Sequence, residues 1–193
     1  GGGEDKLECR WKSSVEGEKF DKRIVGVCLN RFRKISSKYA LKAVLSKNLF
    51  DPSIAPFVMS YLELFINNKS VQNALVAAFK NSSYEYQRIF ILKTLVKAKK
   101  LFFNLNEINR EEVYKSGNFM LVGYYLIFAY KFGNDGVRSM VKTKFNNTYK
   151  SDPKICRYFM IALNSNPASK NEMKAFAKIQ PILKHTYQYL SRG

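Results

Sequence analysis

Asp51-Pro52-Ser53-Ile54-Ala55-Pro56-Phe57-Val58-Met59-Ser60-Tyr61-Leu62-Glu63-Leu64-Phe65 reads as the start and first turns of an amphipathic helix. An aspartate that can accept from the free N–H groups of a helix start precedes a proline whose fixed φ suits the first helical position. Ile54, Phe57, Val58, Tyr61, Leu62 and Phe65 then recur at the spacing of one helical face. Related punctuation returns at Glu18–Lys19, Ser82–Ser83, Gly117–Asn118 and Asp152–Pro153. The spacing is about 33 residues, with two apolar-patterned segments between successive marks, which is the signature of stacked helix pairs in a solenoid.

Working outward, the pattern predicts about five helix pairs. Upstream of Asp51, helices are expected over Lys19 to Ile35, with Val25, Cys28, Leu29 and Phe32 inward, and over Lys38 to Leu49. Downstream, Asn67–Asn68 ends the first helix and Ser70 caps a second. A Ser82 to Glu85 capping box opens a helix that reaches about Phe103. Asn109 caps a short helix with Glu111 and Glu112 at its positive end. Phe119 to Phe132 is apolar nearly all round and belongs at the centre of a core. After the turn at Gly133–Gly136 a helix runs from Val137 to Tyr149. Asp152–Pro153 opens another, with Ile155, Cys156, Phe159, Met160 and Leu163 buried. Ser169 and Glu172 form a second capping box, and Pro181 interrupts the last stretch. No segment carries the alternation of a strand. The fold class is all-α. The domain division is 1–18, a cloning scar at Gly1-Gly2-Gly3 plus an N-terminal extension, and 19–193, the helical-repeat domain.

Charge sharpens this. The chain has 33 Lys and Arg against 15 Asp and Glu, a formal net charge of +18. An excess of that size points to a polyanionic partner. An AT-rich genome would explain some of the lysine but not the shortage of acids. From Val113 onward the acids are Asp135, Asp152 and Glu172, against thirteen Lys and Arg. Cys9, Cys28 and Cys156 are scattered, which is not a disulfide framework; Cys28 and Cys156 sit within apolar helical patterns and read as buried structural thiols, which points to a reducing, cytoplasmic setting. The longest apolar run, Phe119 to Tyr130, is too short for a bilayer, so no membrane partner is expected.

Enzyme signatures are missing. His185 is the one histidine. There is no cysteine–histidine metal spacing, no phosphate-binding glycine loop and no nucleophile elbow. The chain is therefore expected to be non-catalytic, with no cofactor and no metal. Its positive signal is cations interleaved with aromatics. Arg31, Arg33 and Lys34 form one group, beside Lys38. Lys93, Lys97, Lys99 and Lys100 form a second. Arg138, Lys142, Lys144, Lys150, Lys154 and Arg157 form a third, with Tyr149 and Tyr158 nearby. Cations displace counterions from phosphates, and tyrosines stack on unpaired bases. Any single lysine here also fits a solvated helix face.

Three stretches carry a resemblance. They are Val27-Cys28-Leu29-Asn30-Arg31-Phe32-Arg33-Lys34 with Tyr39 to Leu45, the Asp51–Pro56 start leading to Tyr61–Phe65, and Tyr84-Glu85-Tyr86-Gln87-Arg88 before an apolar helix. Together they resemble the HEAT-like helical-repeat C-terminal domain of bacterial defence reverse transcriptases of the abortive-infection and "unknown group" kind. The resemblance covers about Phe20 to Ile179. It implies an accessory antiphage domain that packs against a polymerase domain and helps hold template RNA or growing DNA. The polymerase's Tyr-x-Asp-Asp motif has no counterpart in this chain, so no catalytic residue carries over. The expected partner is single-stranded RNA or DNA. Two other readings remain open: a protein-interaction scaffold, and a basic all-α RNA-binding protein of a virus or mobile element.

Overall fold

The computed structural model describes residues 2–15, 21–46 and 51–192. The Glu18–Lys19 mark, Phe20 and the Leu49 end of the second expected helix lie outside them. Twelve α-helices and no strand occur among the described residues. The chain divides into two compact units, Gly1–Phe102 and Phe103–Gly193.

The first unit holds α1 (Gly2–Val15), α2 (Lys22–Lys34), α3 (Leu41–Ser46), α4 (Ala55–Glu63), α5 (Lys69–Asn81) and α6 (Glu85–Leu95). Alternate helices pack on one another: α2 on α4, α4 on α6, and α3 on α5. The inward stripe of α2 is as expected, with Val25, Cys28, Leu29 and Phe32 fully buried. Residues 1–18, read as scar and extension, contain α1. Its Trp11 is buried and meets Phe32 edge-on at 5.9 Å. Tyr61 donates to the Ser37 carbonyl at 2.6 Å, and burial pushes its phenol up to about 12.

Several boundaries differ in detail. Asp51 closes a turn rather than starting the helix directly. Its Oδ1 accepts from the Ser53 hydroxyl at 2.5 Å and the Ser53 N–H at 2.9 Å, and α4 begins at Ala55 with Pro56 in its first turn. Those Ser53 bonds, with Lys22 at 3.0 Å, pull the Asp51 carboxyl down to about 2. Asn68 rather than Ser70 caps α5, accepting from Ser70 and Val71 N–H groups. The cap position of α6 is Tyr84, and the Ser82 hydroxyl donates to Gln87 at 2.7 Å.

The largest departure is the early end of α6, at Leu95 instead of about Phe103. Its cause is a set of competing hydrogen bonds. Gln72, fully buried on α5, donates to the Ile66 and Lys100 carbonyls and accepts from the Phe102 N–H at 2.8 Å. Asn67 accepts from the Lys99 N–H at 2.8 Å. Residues 99 to 102 thus find polar partners on the preceding helix pair instead of continuing a helix.

The second unit holds α7 (Arg110–Lys115), α8 (Phe119–Phe132), α9 (Asp135–Lys144), α10 (Pro153–Asn164), α11 (Lys170–Ile179) and α12 (Lys184–Ser191). Asn109, Asn118, Asn134 and Asp152 cap four of these with their side chains, each such cap contributing about 1 kcal/mol. Gly117, at φ +64°, makes the left-handed turn between α7 and α8. The apolar helix α8 is central as expected. It packs on α7, α9 and, most extensively, α10, and α10 packs in turn on α11 and α12.

Between α9 and α10 the helix expected to reach Tyr149 loosens into a π-helical turn over Phe145–Tyr149. Phe145 there stacks on Phe159 at 3.9 Å, and Phe176 and Tyr130 close around Phe159 edge-on. Ser169 makes no side-chain cap at the start of α11. Glu172 instead accepts from the Tyr130 hydroxyl at 3.3 Å and pairs with Lys142 at 3.5 Å. Pro181 separates α11 from α12 as expected.

Candidate nucleic-acid interface

Helix α10 places three of the sequence-selected residues together. Capped by Asp152, it presents Lys154, Arg157 and Tyr158 at positions i, i+3 and i+4, which share one face. Lys154 Nζ lies 4.8 Å from the Phe119 ring centroid. The Tyr158 ring is 5.2 Å from Tyr124 and 6.4 Å from Phe119, both on α8. Tyr158 lies flat because α8 has glycine beneath it. A Cβ on Gly123 would come within 2.2 Å of the Tyr158 ring. Phe119 stays 37% exposed, enough to offer a ring face. Lys150, Lys154 and Arg157 are all exposed, and none has an ion-pair partner among the described residues. Cations over rings of this kind bind anions and still hold their place through the cation–π attraction.

The remaining members of the third group are not part of this cluster. Arg138 is half-buried. It donates to the Gly133 carbonyl and the Asp135 carboxylate, which ties the start of α9 to the end of α8. Lys142 is held by Glu172 of α11. Lys144 sits 5.1 Å over the Tyr114 ring, and Tyr149 packs on Tyr114 at 6.2 Å. Burial and the Glu111 carboxylate raise the Tyr149 phenol. Burial also raises Tyr114 and Tyr125 beside it, Tyr125 to about 12. This second aromatic cluster is a packed seam of α7, α8 and the π-helical turn.

In the first unit the expected lysine row dissolves with the early end of α6. Lys93 remains on the helix, 5.9 Å from Phe90, Lys97 pairs with Glu63 at 2.5 Å, and Lys100 lies 5.5 Å from Phe102. Arg33 reaches Asn30 at 3.4 Å, and Arg31 and Lys34 are exposed on α2. The sequence reading missed Phe119, Tyr124 and Gly123. The available signal was Gly123 itself, an isolated glycine inside an apolar helix, which marks a close approach from a neighbour.

Among the described residues no group of three or more His, Cys, Asp or Glu is placed to hold a metal ion. Among the described residues no helix is long and apolar enough to cross a membrane. Comparisons with protein-family models, with curated proteins and with solved structures find no match.

Proposed function

We propose that this chain is a non-catalytic, HEAT-like helical-repeat domain that holds single-stranded RNA or DNA on the α10 face of its second unit. The observation that carries the reading is Lys154 over the Phe119 ring, with Tyr158 against Phe119 and Tyr124 and with Arg157 on the same face of α10, neither cation having an acidic partner among the described residues. Phosphates would meet the cations and one or two unstacked bases the rings. The repeat reading is supported by alternate-helix packing in each unit and by polar ties between residues 28 to 34 positions apart, such as Glu63 to Lys97 and Gln72 to Lys100. By the resemblance in its boundary stretches, we place the chain as the accessory C-terminal part of a cytoplasmic bacterial antiphage reverse transcriptase.

The test is fluorescence anisotropy with labelled oligouridylate and oligothymidylate across a salt series. Lys154→Glu with Arg157→Glu should weaken binding by more than tenfold and lower the salt slope by about two, roughly one per phosphate contact removed. Phe119→Ala should cost about 1–3 kcal/mol of affinity if a base stacks there. Unchanged affinity in the charge-reversal variant removes α10 as the interface. Sequence upstream of Gly3 tests the larger assignment: a polymerase domain carrying Tyr-x-Asp-Asp supports it, and a different upstream gene removes it.

A further inference from the structure

Helix α2 carries a stripe that the core does not use. Arg23, Val27 and Arg31 recur at i, i+4 and i+8, so they stand in line on one face, and all three are exposed. Val27 is 51% exposed although it is flanked by buried neighbours on both sides. On one flank the stripe borders α4 across a groove of about 640 Å³ whose floor is Phe57, itself 43% exposed. On the other flank it borders α1 across a groove of about 330 Å³ lined by Leu7 and Arg10. Val27 and Arg31 line both, so the two grooves share one ridge. Phe57 packs closely on Gly26 of α2: a Cβ there would stand 3.1 Å from its ring, a tight contact.

The charged residues that line the two grooves, Lys6, Arg10, Lys22, Arg23 and Arg31, are all cations. Lys22 is paired with Asp51, but Arg10, Arg23 and Arg31 have no ion-pair partner among the described residues. The surface thus has an apolar centre and a cationic rim. From Arg23 to Arg31 the ridge spans eight residue steps, about 12 Å at 1.5 Å per step, the length of about two turns of a second helix. We infer that this first-unit surface docks an acidic amphipathic helix of a partner protein, with its apolar residues on Val27 and Phe57 and its carboxylates on Arg10, Arg23 and Arg31. Helix-in-groove recognition needs an apolar stripe with i, i+3, i+4 and i+7 anchors, which an apolar floor between arginines accommodates. A nucleic acid strand fits less well. The groove offers one aromatic ring, and that ring already packs on Gly26.

The test uses a fluorescein-labelled synthetic peptide of about 14 residues, roughly four helical turns, with Leu at i, i+3, i+4 and i+7 and Glu elsewhere. Its control is a permuted peptide of the same composition whose leucines do not align. The designed peptide should bind the full chain about tenfold tighter than the permuted one, a difference of about 1.4 kcal/mol. Val27→Ser and Arg31→Ala should each weaken it severalfold. Both positions are exposed, so circular dichroism melts should stay at the parent midpoint. Val27→Ser should leave oligothymidylate affinity unchanged. Equal binding of the two peptides would reduce the surface to bulk charge and overturn the proposal. So would displacement of the peptide by oligothymidylate or by phosphatidylserine vesicles in the parent but not in Val27→Ser.

Discussion

The two units solve the same problem with different materials. In the first, neighbouring helix pairs are tied by polar side chains that reach across: Glu63 to Lys97, Asn67 to the Lys99 N–H, and Gln72 to three backbone groups. In the second, the tie is aromatic, with Phe145 on Phe159 and with Tyr130 and Phe176 edge-on around them. A polar tie uses up the groups that make it. Lys97 is held by an acid, and residues 99 to 102 are pinned. An aromatic tie leaves the charged face of α10 without structural duty. The difference teaches that cation count alone does not locate an interface. Arg138 and Lys142 are as basic as Lys154 and Arg157, but they are spent on Asp135 and Glu172.

The sharpest way to break this comparison is Phe159→Ala. Phe159 is 3% exposed and touches three other rings. Truncation should cost about 3–5 kcal/mol, from lost transfer energy plus the cavity left behind. Urea unfolding followed by near-ultraviolet circular dichroism measures it. A loss below about 1 kcal/mol would mean that the aromatic cluster does not hold the second unit together, since an Ile→Val change in a core costs as much.

Gln72→Leu probes the polar tie and should have the next largest effect. The substitution keeps an apolar volume but orphans the Ile66 and Lys100 carbonyls and the Phe102 N–H. The Ile66 bond is buried and the other two are part-buried, and leaving one buried backbone group unpaired costs about 1–3 kcal/mol. The signature is local as well as global. Amide exchange at Phe102 should accelerate more than exchange in α5, whereas Phe159→Ala should raise exchange throughout its unit. Uniform acceleration in Gln72→Leu would show that the pinned segment has no separate opening.

These features also mark where the sequence was readable. Most helix starts were, because caps are local chemistry. Asn109, Asn118 and Asp152 each act on N–H groups two or three residues away. The inward stripes of α2 and α10 were readable for the same reason, being periodic. The end of α6 was not, since the partners that stop it, Asn67 and Gln72, lie about 30 residues upstream in sequence and act only once α5 is folded. Helix α1 was passed over because its apolar residues are few, and Trp11 is buried through packing on α2, where it meets Phe32. At the candidate interface the cations were legible by type, but which of them are already paired is a tertiary fact. Glu172 was read as a cap when it serves Tyr130 and Lys142.

The smallest effect separates spent from unspent charge most cleanly. Lys142 and Glu172 are 47% and 33% exposed at 3.5 Å, a pair worth about 0.2–1 kcal/mol after solvent screening. Lys142→Gln should therefore lower stability by a few tenths of a kcal/mol and leave oligonucleotide affinity within about twofold, a difference of about 0.4 kcal/mol. Lys154→Gln should do the reverse: stability unchanged, because its contact is with the exposed Phe119 ring, and affinity reduced with a shallower salt slope. Both substitutions remove one positive charge, so net charge is held constant between them. Any difference in binding then reports where the charge stood. If the two variants weaken binding equally, the oligonucleotide responds to the whole +18 chain rather than to the α10 face.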